Sequence, residues 1–389
     1  MRRLLAAPAL FFAAAIVLTS LAAPTAAQDP KDPKAAPPEE EAFQTADGVQ
    51  LKGLFHATAK NPNTAPVVIL LYPPGADRDM TKGDWAGLAQ TLNKEGFHVF
   101  RFDWRGHGKS TDIKKPVEFW GNTFTGNTGT NFNGHVAGGP PRRPLKNDIF
   151  FKDLGNRSAR YMGAYLTDLA AVRLHLDTKN DNNTLNTSSI YLIGAGDAAA
   201  LGMGWITAEW QRPAVFPGPV ALGLNVAAYT YVPQPINGQF AEGGKDIAGA
   251  VWLTASRPPA VPELAAKRWV ANIAPNLREN NPMLFLYADK DATGKKSSEF
   301  YFNNVLIGDP VRAKAQGIPA LDQTFIKEVK GGNQASGAKL LGDNKTLGTE
   351  DTIVKFLEAL QKTRAKQLPK TRNYTNPYYI NAREYGLNP

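Results

Sequence analysis

Apolar and polar positions along this chain alternate between short, wholly apolar runs and longer stretches with helical spacing. Pro66 to Tyr72 (Pro-Val-Val-Ile-Leu-Leu-Tyr) is a continuous apolar run of strand length, as expected of a parallel strand covered on both faces. Trp85 to Glu95 carries apolar residues at helical spacing and stops at Gly96, and Phe97 to Phe102 reads as the next strand. Arg160 to Leu176 sets Tyr161, Tyr165, Leu169, Val172 and Leu176 on one helical face. Ala248 to Ser256 and Pro282 to Ala288 read as two further buried strands, separated by a helical pattern from Pro262 to Asn276. A helix at Ser297 to Val305, a strand at Gln323 to Val329 and a helix at Thr349 to Lys362 close the series. Before it, Phe43 to Thr58 alternates around Asp47-Gly48, a tight-turn pair, and predicts an opening β-hairpin. Strands alternating with amphipathic helices predict an α/β fold with a mostly parallel, doubly wound sheet. No internal repeat interrupts it, so residues 43–362 read as one domain.

The pattern fails in two places. Residues 112–158 and 211–245 are rich in Gly, Asn, Thr and Pro and predict two loop insertions. At the amino terminus, Arg2 and Arg3 precede an apolar run from Leu4 to Leu21, with small residues through Ala27. This is the layout of a secretory signal peptide over residues 1–27, with an uncleaved anchor as the competing reading. Residues 28–42, rich in Pro, Lys, Glu and Ala, predict a disordered tether. Residues 363–389 hold Arg364, Lys366, Lys370, Arg372 and Arg383 with Tyr374, Tyr378, Tyr379 and Tyr385. They form either a tail laid over the domain or a basic, aromatic arm that binds an envelope component.

An apolar fraction of 43% suffices for a large core. The absence of cysteine excludes disulfides, lipobox attachment, thiol catalysis and thiolate metal sites. The net charge of +9 suits an anionic surface without demanding one, and no nucleic-acid partner is expected. No second stretch has the length to span a bilayer.

The chain is organised around Ser188 to Leu201, where an apolar β-branched run meets Gly194-Ala195-Gly196 and then an alanine-rich, helix-prone segment. Strand, sharp turn and helix make a nucleophile elbow, whose pattern G-x-S-x-G puts serine at the apex between small residues. Laid on that pattern, Gly194 and Ala198 flank, and Gly196 takes the apex. A second segment, Asp103-Trp104-Arg105-Gly106-His107-Gly108-Lys109-Ser110, fits D-x-R-G-x-G-x-S. With these two segments the chain resembles the α/β-hydrolase superfamily, especially its dienelactone-hydrolase and serine-peptidase-like branches, over about Phe43 to Lys362.

The resemblance implies an acid after a late strand, where Asp291 stands, and a histidine after the last strand, where Ser336 stands instead. The five histidines, His56, His98, His107, His135 and His175, all precede the elbow. A serine hydroxyl attacks only when an imidazole takes its proton, so nucleophile and base are both missing from their implied places. The family's His-Gly after the third strand is replaced by Tyr72-Pro73, followed by Pro74-Gly75-Ala76; of these, only Gly75 or Ala76 has an N–H for an oxyanion.

Asp197 is the candidate for surviving chemistry. Shifting the apex by one residue resembles the aspartate elbow of haloalkane dehalogenases and epoxide hydrolases, whereas the structural alternative makes Asp197 a helix cap. His107 reads as a hydrogen-bonded loop residue, His98 as core, and His135 as either loop or lid. Asp289 and Asp291 read as a turn rather than a calcium loop, and Gly194-Ala195-Gly196 lacks the third glycine of a dinucleotide site, so neither metal nor cofactor is expected. The expectation is an exported protein of α/β-hydrolase type without the serine and histidine, retaining a small-molecule pocket at Tyr72, Gly75, Ala76, Gly196, Asp197, Asp291 and Ser336. The alternatives are an active hydrolase using Asp197 or insertion residues, and an envelope-attachment protein.

Overall fold

The computed structural model describes residues 37–120, 133, 136–137, 144–211, 243–271, 274–319, 321–342, 344–372, 380 and 387. The expected signal peptide, most of the tether, the second insertion from 212 to 242, His135 and most of the tail lie outside the described residues.

Eight strands form one sheet in the order β1-β2-β4-β3-β5-β6-β7-β8. They are β1 (Glu39–Gln44), β2 (Gln50–His56), β3 (Pro66–Leu71), β4 (His98–Phe102), β5 (Asn186–Ala195), β6 (Ile247–Leu253), β7 (Met283–Ala288) and β8 (Phe325–Val329). β1 pairs antiparallel with β2 and β2 with β4, while every pairing from β4 across to β8 is parallel. The helices are α1 (Trp85–Lys94), α2 (Pro116–Trp120), α3 (Tyr165–Asp181), α4 (Asp197–Gln211), α5 (Gly243–Asp246) and α6 (Glu263–Ala271), then α7 (Ala274–Asn280), α8 (Ala292–Glu299), α9 (Pro310–Ala315), α10 (Asn344–Leu347) and α11 (Thr349–Thr363). Every residue of β3, β4, β5, β6 and β7 is buried; β3, β6 and β7 therefore read as unbroken apolar runs, while β4 carries His98 and Arg101 and β5 opens on Asn186-Thr187-Ser188-Ser189 before its apolar half. On β6, Gly249 faces Leu360 of α11 and Trp252 faces Gly202 of α4. An odd separation along a strand puts these two residues on opposite faces, so helices cover both sides of the sheet.

Two sequence expectations change. β1 begins at Glu39, inside the expected tether: backbone pairing to β2 orders the acidic run, and Glu41 adds a bond to His175 at 2.6 Å and another to Lys179, both on α3. The first insertion is not merely loop in its described part. Isolated bridges join Val49 to Ile113 and Asp112 to Asp148, α2 lies within it, and Phe119, Trp120, Val136, Ile149 and Leu154 are all buried. Large apolar residues scattered among Gly and Asn have no period to read, yet they pack into the core.

The start of the tail is likewise clamped onto the domain. Arg364 donates to the carbonyls of Lys245 (2.8 Å) and Ser188 (3.2 Å), and also to those of Asn280 and Ile247. Arg372 reaches Asp246 at 2.9 Å, beside the buried Arg173–Asp177 and Arg173–Asp246 pairs. Both arginines sit at the amino ends of β5 and β6, the edge opposite the elbow, so the described part of the tail spends these cations on internal contacts.

Candidate functional site

β5 ends at Ala195, Gly196 turns the chain at φ +53°, and α4 begins at Asp197. This is the sharp, left-handed turn of a nucleophile elbow with glycine at its apex. Backbone bonds fix it: Gly196 N donates to Leu253 O at 3.0 Å, and Ser256 N donates to Gly196 O at 3.1 Å. The glycine is not enforced by crowding. A Cβ at 196 would lie 3.6 Å from Pro73 Cβ and 3.9 Å from Ser256 Oγ, ordinary contact distances that leave room for a serine.

Asp197 lies in the first turn of α4, where the helix dipole favours a carboxylate. Its partner is not a helix N–H, as the capping alternative required, but the hydroxyl of Ser256, which donates to Asp197 Oδ1. The carbonyl of Ser256 accepts from the buried Tyr301 hydroxyl at 3.3 Å. Ser256 is therefore the elbow-lining residue that sequence reasoning missed as chemistry. The available signal was its place just past the β6 run, at the carboxyl edge where open α/β sheets bind ligands.

The loop after β3 turns its polar groups inward. Tyr72 is buried and donates its hydroxyl to Asp103 Oδ1 at 3.2 Å, while its carbonyl accepts from Trp104 Nε1 at 2.8 Å. Gly75 N, one of the two possible oxyanion donors, gives its hydrogen to His107 Nε2 at 3.0 Å. The opposite ring nitrogen lies 3.0 Å from Arg105 O, so Nδ1 carries the proton. Burial pushes the His107 imidazole down to about 4, keeping it neutral and acting here as an acceptor. Ala76 is exposed.

Asp291 caps α8, its Oδ1 accepting from Gly294 N at 2.8 Å, and its Oδ2 is buried without a partner. Asp289 accepts from Asn333 N at 2.6 Å and Gly331 N at 3.3 Å, tying the loop after β7 to the loop after β8. Ser336 is exposed, but its neighbour Gly337 comes against the elbow: a Cβ there would lie 3.4 Å from Ala195 Cβ. The structure thus gathers Pro73, Gly196, Asp197, Ser256 and Gly337 at one turn. Tyr72 belongs to the scaffold, and no contact joins Asp291 to Asp197.

Nor is the D-x-R-G-x-G-x-S segment chemical. Asp103 accepts from Met80 N at 2.6 Å and Lys109 N at 2.9 Å, and Ser110 Oγ accepts from Lys52 N at 2.9 Å. Arg105 is buried between Asp47 (2.6 Å) and Asp168 (2.7 Å). His98 is core, its ring bonded to Thr58 N and Pro62 O. Among the described residues no group of three or more His, Cys, Asp or Glu is arranged to hold a metal, and no helix is long and apolar enough to cross a membrane.

Residues 66–200, from β3 to the first turn of α4, match the family model of the α/β hydrolase fold. No curated protein matches the chain. Among solved structures, an esterase from Pyrococcus furiosus is similar at 14% identity, covering 85% of this chain and 94% of its own, with a TM-score of 0.43. Est1E from Butyrivibrio proteoclasticus is similar at 11% identity, covering 84% and 100%, with a TM-score of 0.42. A structure from an analysis of two Rhizomucor miehei esterases is similar at 11%, covering 85% and 87%, with a TM-score of 0.43.

Proposed function

We propose that this chain, a member of the α/β-hydrolase superfamily, is an exported, non-hydrolytic protein that uses the carboxyl edge of its sheet to bind a small molecule or an envelope component. The observation that carries this reading is Gly196 at the apex of a fully formed elbow. Acyl transfer needs a nucleophilic atom at that point and a proton acceptor beside it. Glycine supplies no such atom, and the residues around the apex are Pro73, Asp197 and Ser256. The committed Gly75 N–H supports the same reading, because an oxyanion would have to displace His107 to use it. Export rests on the Arg2-Arg3 and Leu4 to Leu21 pattern.

The alternative in which Asp197 attacks carbon is less well supported, since Ser256 already occupies Oδ1 and an ester intermediate would still need a base for its hydrolysis. Steady-state assays with p-nitrophenyl acetate, butyrate and octanoate test the proposal. The expected rate equals that of heat-denatured protein. Saturable turnover that Asp197→Asn abolishes would establish the alternative instead.

A further inference from the structure

We propose that the hollow beside the turn Phe300–Val305 is a binding site for a neutral sugar ring, built from residues that the elbow does not use. The hollow measures about 480 Å³ and is lined by Phe302, Asn303, Asn304, Asp309 and Arg312, with Gly308 and Pro310. That volume is within the range of small-molecule sites, ~300–1,000 Å³.

Its donors and acceptors suit vicinal hydroxyls, each of which both gives and takes a hydrogen bond. Asp309 Oδ1 accepts from Val311 N at 2.9 Å and Arg312 N at 3.4 Å, leaving Oδ2 to accept from a ligand. Arg312 Nη1 donates to Asn304 Oδ1 at 3.1 Å and Asn303 O at 3.4 Å, leaving Nη2 and Nε to donate. The Asn303 side-chain amide has no partner among the described residues and supplies both kinds of group. Phe302, half-buried between the Gly308 backbone and the Phe285 ring 6.3 Å away, lines the hollow with apolar surface for the C–H groups of a pyranose. One carboxylate beside one guanidinium leaves the hollow without net charge, which disfavours phosphate or sulfate esters.

The frame is held rigid. Phe300–Val305 is a π-helical turn, a local form common at functional sites. Ile307 follows at φ +56°, a conformation that a β-branched residue keeps only when its surroundings enforce it. Arg278 enforces it by donating to the carbonyls of Leu306, Ile307 and Pro319. Gly308 N donates to Phe302 O at 2.7 Å, and a methyl group at 308 would overlap the Phe302 ring, so only glycine lets this strand of backbone lie against it. Tyr301 turns the other way, toward Ser256.

Isothermal titration of the protein with maltohexaose, cellohexaose and hexa-N-acetylchitohexaose, and with a sulfated hexasaccharide, tests the site. At least one neutral hexasaccharide is expected to bind saturably, and Asn303→Ala and Arg312→Ala should each weaken it about tenfold. Arg312 is exposed and Asn303 is half-buried with no side-chain bond among the described residues, so melting temperature should stay nearly unchanged. Absence of saturable binding by all three neutral sugars, binding that survives both substitutions, or tighter binding of the sulfated sugar would each overturn the proposal.

Discussion

Replacing Arg105 with methionine removes the one cation from a buried cluster that holds two carboxylates. Arg105 Nη1 and Nη2 reach Asp47 at 2.6 and 3.0 Å, and Nε reaches Asp168 at 2.7 Å, with all three side chains almost wholly buried. Two acids share one guanidinium, and their responses differ. Burial pushes Asp168 up to about 6 despite Arg105, whereas Asp47, also bonded by Thr45 and Asn133, is held below its ordinary value. Removing one partner from a buried ion pair costs about 3–5 kcal/mol, because the remaining charge stays desolvated. At pH 8 the variant should be destabilised by that amount.

The sign of the pH dependence follows from proton counts. Without Arg105 both carboxyls bind protons more tightly in the folded than in the unfolded state, so the variant loses stability as pH rises above the unfolded value near 4. Its penalty should therefore shrink by at least ~1.4 kcal/mol between pH 8 and pH 5. Urea titrations followed by the fluorescence of the seven tryptophans give both values. A penalty under ~1 kcal/mol at pH 8, or one that grows toward acid, would refute the reasoning. Neutralising all three groups, with Asp47→Asn and Asp168→Asn added, should recover part of the loss.

Gly196→Ser should fold with a penalty of ~1–2 kcal/mol for the left-handed φ, since its Cβ meets only ordinary contacts, and should gain no esterase activity; measured hydrolysis would show that a base is in reach. Arg364→Ala should cost ~2 kcal/mol or more in urea titration, because it strands carbonyls of β5, β6 and α7, and a neutral result would make the clamp incidental. His107, held to about 4, binds fewer protons folded than unfolded between pH ~6.5 and 4, so the stability it contributes is lost as pH falls through that window. The acid slope of His107→Asn should be shallower by up to ~1.4 kcal/mol per pH unit, and an unchanged slope would contradict the burial.

Most of the sheet was legible because β3, β6, β7 and the second half of β5 are buried on both faces, which writes each as an apolar run. The elbow was legible because a turn at φ +53° between packed elements admits only small residues around it. What escaped depended on contacts between residues far apart in sequence. Arg364 and Arg372 look like free surface charge until Ser188, Ile247 and Asp246 are placed around them. Phe119 and Trp120 sit in a stretch without period, and their burial follows from bridges to residues 49 and 148. Gly75 reads as a free donor, yet a ring 32 residues away takes its hydrogen. Ser256 is one serine among many until the turn brings it to Asp197.

The proposed non-hydrolytic function requires that the elbow at Gly196 carry no reactive nucleophile. Intact-mass spectrometry after prolonged exposure to a fluorophosphonate tests it most directly. An unchanged mass is predicted. A stoichiometric adduct at Ser256 or at any other hydroxyl of the carboxyl edge would contradict it.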